Sequence, residues 1–343
     1  MRAWIVSALG VTAIAVAVAQ GCYRPDPVDG SFRCSPDLGG MCPSGFVCNL
    51  DGLCVHHAGT DGGGAPLDLS GDQATAPHVR SCDEKVAAGA FSNLTALTAA
   101  NTAADEEHLA LDPTGTAPRL VFQRGNQLFT AAISSTNAKS ISAPQAVVLT
   151  GGPATLHGSS FTTDGKLWIA GTDGSGNTGL YAGTPGGAAA FTVAAARQPI
   201  ASGCAISDPW FMQGDATFQL YAGFPLGGCG GDSYVVRGAL DRDAGAFFSA
   251  LPESGWAAPS MTSTGLLLLV SSTVGGRHLY AATRTDFQFL FASASRIDMS
   301  AIGEAMEDRQ AVVSADCGTI YFSSVRAGGA GGADLYAADI AAE

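Results

Sequence analysis

Residues 319–340 read TIYFSSVRAGGAGGADLYAADI, and the fold is read outward from them. Ile320, Tyr321 and Phe322 form an apolar, aromatic run suited to a pleated strand. Residues 328–332 contain four glycines, a loop free to take positive φ. Leu335, Tyr336, Ala337 and Ala338 read as the returning strand. Asp316 and Gly318 give a turn signal before the hairpin, which would bring Ala311, Val312 and Val313 back against its first strand.

The same order recurs upstream. It reads PRLVFQRGNQLFTAAI from Pro118, KLWIAGTDGSGNTGLYAGT from Lys166, FQLYAGFPLGGCGGDSYVVRGAL from Phe218 and GLLLLVSSTVGGRHLYAAT from Gly265. The matching first-strand residues, Leu120, Leu167, Leu220, Leu267 and Ile320, are 47, 53, 47 and 53 residues apart. A period near 50 residues marks a propeller or a solenoid, and units made only of strands favour the propeller. Short apolar segments at 94–97, 146–149, 191–194, 247–251 and 289–291 supply candidate outer strands. The expected fold is all-β: a propeller of about five four-stranded blades, with room for a sixth, degenerate one in 185–260, preceded by a small disulfide-rich module.

The last unit, SADCGTIYFSSVR followed by a glycine-rich loop and DLYAA, resembles the repeat of TolB-type β-propellers. That family carries a serine, an Asp-Gly turn, an aromatic strand, Ser-x-Arg and a closing Asp-Leu-Tyr. Here Cys317 separates Asp316 from Gly318, whereas the second unit keeps Asp164 and Gly165 adjacent. Ser314, Asp316 and Gly318 also resemble the Asp-box of sialidase propellers, itself a turn motif. Both resemblances imply shape and assign no catalytic residue. By analogy TolB, which works with other Tol proteins and a peptidoglycan-associated lipoprotein, suggests an envelope scaffold.

Composition narrows the function classes. The net charge is −13, from 17 basic and 30 acidic residues, so nucleic acid is not an expected partner. With 46% hydrophobic residues the chain is a folding one.

At the N-terminus Arg2 precedes an apolar run from Ile5 to Ala19, which reads as a secretory signal over residues 1–21. Gln20-Gly21-Cys22 resembles the bacterial lipoprotein signal, which would place a lipid on Cys22 and the chain on a membrane of the cell envelope. Residues 22–57 hold Cys34, Cys42, Cys48 and Cys54 in a module with few bulky apolar groups, and such a core needs disulfides. It is similar to cysteine-rich modules of bacterial surface lipoproteins. A zinc site is the rival, but the paired C-x2-4-C spacing is absent. Residues 58–81 are a Gly/Ala/Pro/Asp linker, and 82–343 the propeller. Cys82 and Cys317 are candidates to clasp first blade to last, and Cys204 and Cys229 to pair locally.

No linear catalytic signature appears. Gly174, Gly176 and Gly179 fit G-x-G-x-x-G but lead into a strand, so they read as a hairpin loop. Asp173, Ser175 and Asn177 in that loop could face a calcium ion, but a polar turn is the preferred reading. Glu106, Glu107 and His108 could do acid–base work. Glu307, Asp308 and Arg309 recur at the same place in the last unit, so the acids read as structural and water-facing. His157 and His278 stand alone and are assigned nothing. The expectation is a non-catalytic, lipid-anchored envelope protein whose propeller is a binding or scaffold platform, with no cofactor, no metal, and an envelope protein or glycan as partner. The alternative is an exported propeller enzyme, hydrolase or lyase, acting on glycans.

Overall fold

The computed structural model describes residues 80–341, apart from 113–117, 163–164, 188, 195–197, 200–206, 213–218, 225–233, 240–247, 253, 273–275 and 286–289, and also two short strands upstream. The chain divides into residues 1–76 and 77–343. In the first unit β1 (Phe46–Cys48) runs antiparallel to β2 (Cys54–His56), with Cys48 opposite Cys54 in the backbone register. The expected lipid site at Cys22, the signal, the linker up to residue 79 and Cys34, Cys42, Cys204 and Cys229 lie outside the described residues. Among the described residues no helix is long and apolar enough to cross a membrane.

The second unit begins with α1 (Cys82–Ala87). Ser81 caps it: its hydroxyl accepts from the Glu84 N–H, and the Glu84 carboxylate accepts from the Ser81 N–H. Next come β3 (Phe91–Ala96), β4 (Glu106–Asp112), β5 (Arg119–Arg124), β6 (Gln127–Ala132) and β7 (Gln145–Ala146). Then follow β8 (Val148–Thr150), β9 (Thr155–Phe161), β10 (Leu167–Thr172), β11 (Thr178–Gly187), β12 (Ala190–Val193) and β13 (Gln198–Pro199). The third group is β14 (Ser207–Met212), β15 (Gln219–Phe224), β16 (Tyr234–Ala239) and β17 (Phe248–Ser249). The fourth is β18 (Trp256–Met261), β19 (Leu267–Ser272), β20 (Leu279–Thr283) and β21 (Ser295–Arg296), and the last is β22 (Glu307–Val313), β23 (Thr319–Val325) and β24 (Asp334–Ile340).

These strands form a β-propeller. Four sheets have four strands: β4–β7, β14–β17, β18–β21, and β22, β23, β24 with β3. The sheet built on β9–β12 has six, because β8 adds parallel to β12 and β13 pairs with β11. The expectation of about five four-stranded blades is therefore corrected to four, beside one enlarged sheet. Within 185–260 the described residues outside the enlarged sheet make the sheet β14–β17 and begin β18. Two candidate outer strands also move. Residues 94–97 contribute to the last sheet through β3, and the outer strand expected at 289–291 is β21, a few residues on.

The second strand of each fully described sheet explains the period. Leu120, Leu167, Leu267 and Ile320 are all fully buried, and β5, β10, β19 and β23 are apolar on both faces. A blade stacked between two neighbours has no wet face, so alternation disappears there. One core joins Leu267, Leu269 and Leu279 of the fourth sheet to Ile320, Phe322 and Ala338 of the last. Another joins Val121 and Leu128 to Leu167 and Ile169. Truncating one such leucine to alanine costs about 2–5 kcal/mol.

The ring closes twice. β3 pairs with β24, placing Phe91 opposite Ile340, and Cys82 is disulfide-bonded to Cys317 with their Cα atoms 5.8 Å apart. Asp83 accepts from the Thr262 and Thr264 hydroxyls at 2.6 and 2.7 Å, fixing α1 against the fourth sheet. Cys317 takes φ +57°, the left-handed corner of its turn. The Ser314 hydroxyl donates to Asp316 at 2.6 Å and accepts from the Thr319 N–H at 2.9 Å, while the Gly318 N–H donates to Asp316 at 3.0 Å. Those hydrogen bonds hold the Asp316 pKa below the ordinary carboxylate range.

Candidate active site

The first strands of the five sheets form the inner ring: β4 packs on β9, β9 on β14, β14 on β18, β18 on β22, and β22 on β4. Each carries a bulge at the same level. The residue pairs are His108-Leu109, His157-Gly158, Asp208-Pro209, Ala258-Pro259 and Arg309-Gln310, each pair opposing one residue of the second strand. A bulge leaves its extra residue out of the ladder and re-aims its side chain. Proline is tolerated at two of them because a ladder N–H is not needed there. His108, Asp208 and Ala258 have φ of +56°, +48° and +51°, and Gly158 has +105°.

The bulges bring together residues that the sequence keeps far apart. His108 Nδ1 is in direct contact with Asp208 Oδ1, across 100 residues and from non-adjacent strands of the ring. Asp208 is 5% exposed, and the His108 side chain 24%. Gln310 Nε2 donates to the same Asp208 oxygen at 3.2 Å. His157 Nε2 lies 2.9 Å from the Thr172 hydroxyl. Gly158 is required at its position: a Cβ there would stand 2.9 Å from the Asp208 nitrogen and 3.0 Å from its Cα.

Burial of the His108 ring works to lower its pKa. The charge and hydrogen bond of Asp208 outweigh it, and the group stands above its ordinary value, with Arg277 pulling the other way. His157 stands below its ordinary value, first through burial and then through the charge of His108, with Asp208 opposing both. Beside the pair, Arg309 contacts Glu107 and bonds Glu307 at 2.7 Å, and Arg277 lies 3.6 Å from Glu107. Among the described residues no group of three or more His, Cys, Asp or Glu could hold a metal ion.

The reading of 106–108 as a water-facing cluster on an outer turn is corrected. Glu106 is fully buried, bonded to Arg124 at 2.7 Å and to the Thr102 hydroxyl at 2.6 Å, and β4 is an innermost strand. His157, assigned nothing from the sequence, stands in the bulge ring, and Asp208 there belongs to no linear motif. One signal could have found them: residues 108, 157, 208, 258 and 309 are 49, 51, 50 and 51 apart, the period of the hairpins. Asp173 accepts from the backbone N–H groups of Ser175 and Asn177 at 2.9 and 2.8 Å, so its loop is a side-chain-capped turn.

No family model matches the chain, and no curated protein matches it. Solved structures do. A thermostable family-43 glycoside hydrolase superposes with a TM-score of 0.54 at 10% identity, over 71% of this chain and 91% of that one. A family-43 β-xylosidase/α-arabinofuranosidase from a compost microbial metagenome, solved with xylotriose, gives a TM-score of 0.50 at 10% identity over 73% and 94%. A putative TolB from Agrobacterium tumefaciens gives 0.43 at 13% identity over 68% and 77%. The expectation of a non-catalytic platform, and of no enzyme, is thereby corrected. Solved chains that share this propeller fold include glycoside hydrolases, and the inner strands bring a histidine onto a buried carboxylate that no linear motif contains.

Proposed function

We propose that this chain is a propeller enzyme acting on glycans, a hydrolase or a lyase, whose proton-transfer group is His108 held by Asp208. The observation that carries the reading is the contact of His108 Nδ1 with the buried Asp208 carboxylate, on bulges that converge inside the inner ring. A carboxylate on Nδ1 fixes the tautomer and leaves Nε2 to exchange a proton with a bound substrate. Among the described residues no partner occupies that nitrogen. The glycoside hydrolases that share the fold support a glycan as the substrate class. We read the five inner strands as five blades, the second enlarged, in a TolB-like arrangement.

We further propose that the enzyme is exported on residues 1–21, lipid-anchored through Cys22, and carried by residues 22–57 and a linker over 58–81. Its partners are then a membrane, through the lipid, and an envelope glycan.

The test is an assay of the purified chain on a panel of polysaccharides and aryl glycosides, beside His108→Ala and Asp208→Asn. New reducing ends mark hydrolysis, and the ultraviolet absorbance of an unsaturated product marks elimination. Turnover that disappears in both variants supports the reading. No turnover on any substrate, or turnover unchanged in His108→Ala, overturns it.

A further inference from the structure

The second residues of the five bulges are Leu109, Gly158, Pro209, Pro259 and Gln310. Four have no polar side chain. Gln310 does, and it is buried, with 6% of its surface exposed. Its Oε1 accepts from the Leu109 N–H at 2.7 Å, while its Nε2 donates to the Leu109 carbonyl at 3.4 Å and to Asp208 Oδ1 at 3.2 Å. These contacts decide which end of the amide is which. A backbone N–H needs an acceptor, so the oxygen lies against Leu109 and the nitrogen is left to face Asp208. Held this way, Gln310 can only donate to the carboxylate, at the same oxygen that meets His108.

The geometry points to Gln310 as a positioning residue: anchored on the backbone of β4, it seats the Asp208 carboxylate of β14 against His108 and so sets the pH at which His108 takes up its proton. The inference rests on the reading of His108 as the proton-transfer group, and it does not depend on the identity of the substrate.

The physical argument is a competition. Burial disfavours the imidazolium, and a carboxylate in contact favours it. The charged and titratable groups that bear on His108 are Asp208 from β14, His157 from β9 and Arg277 from the segment before β20. Glu107, the preceding residue of β4, is engaged by Arg309 of β22 and by Arg277. Of these groups Gln310 is hydrogen-bonded to Asp208. If the carboxylate loses its seat, burial prevails and proton uptake moves to lower pH. If a glutamic acid stands where the amide was, it shares a proton with Asp208, and the negative charge added as that pair ionises favours the imidazolium and moves uptake to higher pH.

The experiment is an NMR titration of the His108 ring, assigned by its loss in His108→Ala, in the full propeller as wild type, Gln310→Ala and Gln310→Glu. Gln310→Ala should lower the midpoint by about one pH unit, a tenfold change in the protonation equilibrium. Gln310→Glu should raise it. Opposite shifts are the signature, because a mere packing defect moves both variants the same way. Shifts in one direction, or no shift, overturn the proposal. If Gln310→Glu does not fold, Gln310→Met keeps the volume and lacks the donor. Its midpoint must then fall with that of Gln310→Ala, less far than in Asp208→Asn, and a wild-type midpoint overturns the proposal. The titration uses no substrate. A chain inactive on every glycan but with the opposite shifts would sink the enzyme reading and leave Gln310 in its role. An active enzyme with an unmoved midpoint would sink only the role of Gln310.

Discussion

The strands β4 and β22 are neighbours in the inner ring and begin almost alike, Glu106-Glu107-His108-Leu109 and Glu307-Asp308-Arg309-Gln310. Each buries one acid in an ion pair: Glu106 with Arg124 at 2.7 Å, Asp308 with Arg326 at 2.8 Å. Each arginine then lies over aromatic rings, Arg124 4.5 Å from Phe129 and Arg326 5.2 Å from Phe322. Both strands bulge at their third and fourth residues, and there they part. His108 turns left-handed and reaches Asp208, whereas Arg309 stays among Glu107 and Glu307. Both strands keep a buried acid just before the bulge, Glu106 two places ahead of His108 and Asp308 one place ahead of Arg309, and the bulge positions themselves differ. Function is legible where the repeat is broken.

The largest test of this division is catalytic. His108→Ala and Asp208→Asn should each lower turnover about 10²–10⁴-fold, the usual worth of a positioned acid–base group. Arg309→Ala, at the matching bulge, should lower it by a smaller factor. Steady-state kinetics on the substrate found by the panel decides, and an Arg309 loss equal to the His108 loss would break the comparison. Next is stability. Glu106→Ala and Asp308→Ala should each destabilise, by up to about 3–5 kcal/mol, since each takes a buried acid from an arginine, Arg326 nearly buried and Arg124 partly so. Equal losses in denaturant unfolding would confirm that the two acids do one job, and a loss in one alone would separate them.

Gly158→Ala sharpens the picture on the strand between His108 and Asp208. A Cβ would meet the backbone of Asp208 at φ +105°, so about 1–3 kcal/mol of strain is expected. Thermal melts read the strain, and kinetics should show turnover falling with it as Asp208 is displaced. The smallest effect concerns pH. His108 stands above 6.5, so its contribution to stability is complete below about pH 6.5 and fades as pH rises through its folded value. His157 stands below 6.5, so its contribution is complete above about pH 6.5 and fades as pH falls through its folded value. Unfolding between about pH 5 and pH 8 should therefore show His108→Ala losing its deficit toward the alkaline side and His157→Ala toward the acid side. Matching pH profiles in the two variants would remove the opposition.

Much of the architecture was legible because it repeats. Leu120, Leu167, Leu267 and Ile320 announce it, as second strands buried on both faces, and Asp316 with Gly318 marks the corner. The enlarged second sheet was not legible, because β8 joins it through a parallel pairing that leaves no local pattern. The site was not legible for a related reason. A bulge is invisible to a reading by alternation, and His108 and Asp208 meet only because two strands 100 residues apart share one level of a ring. The acids before each bulge recur for structural reasons, as the buried ion pairs of Glu106 and Asp308 show, and the recurrence carries no mark of the residues beside them.

The last sheet takes β22, β23 and β24 from the end of the chain and β3 from near its beginning. A ribosome delivers those pieces at opposite ends of its work. The early sheets can collapse as they emerge, but the ring stays open until Ile340 has arrived to meet Phe91 and Cys317 has arrived to meet Cys82. Until then the apolar faces of the first and last sheets have no covering, and β3 is a strand waiting for its partner. A copy truncated before β24 lacks the pairing that closes the last sheet, and β3 is left as an unpaired edge.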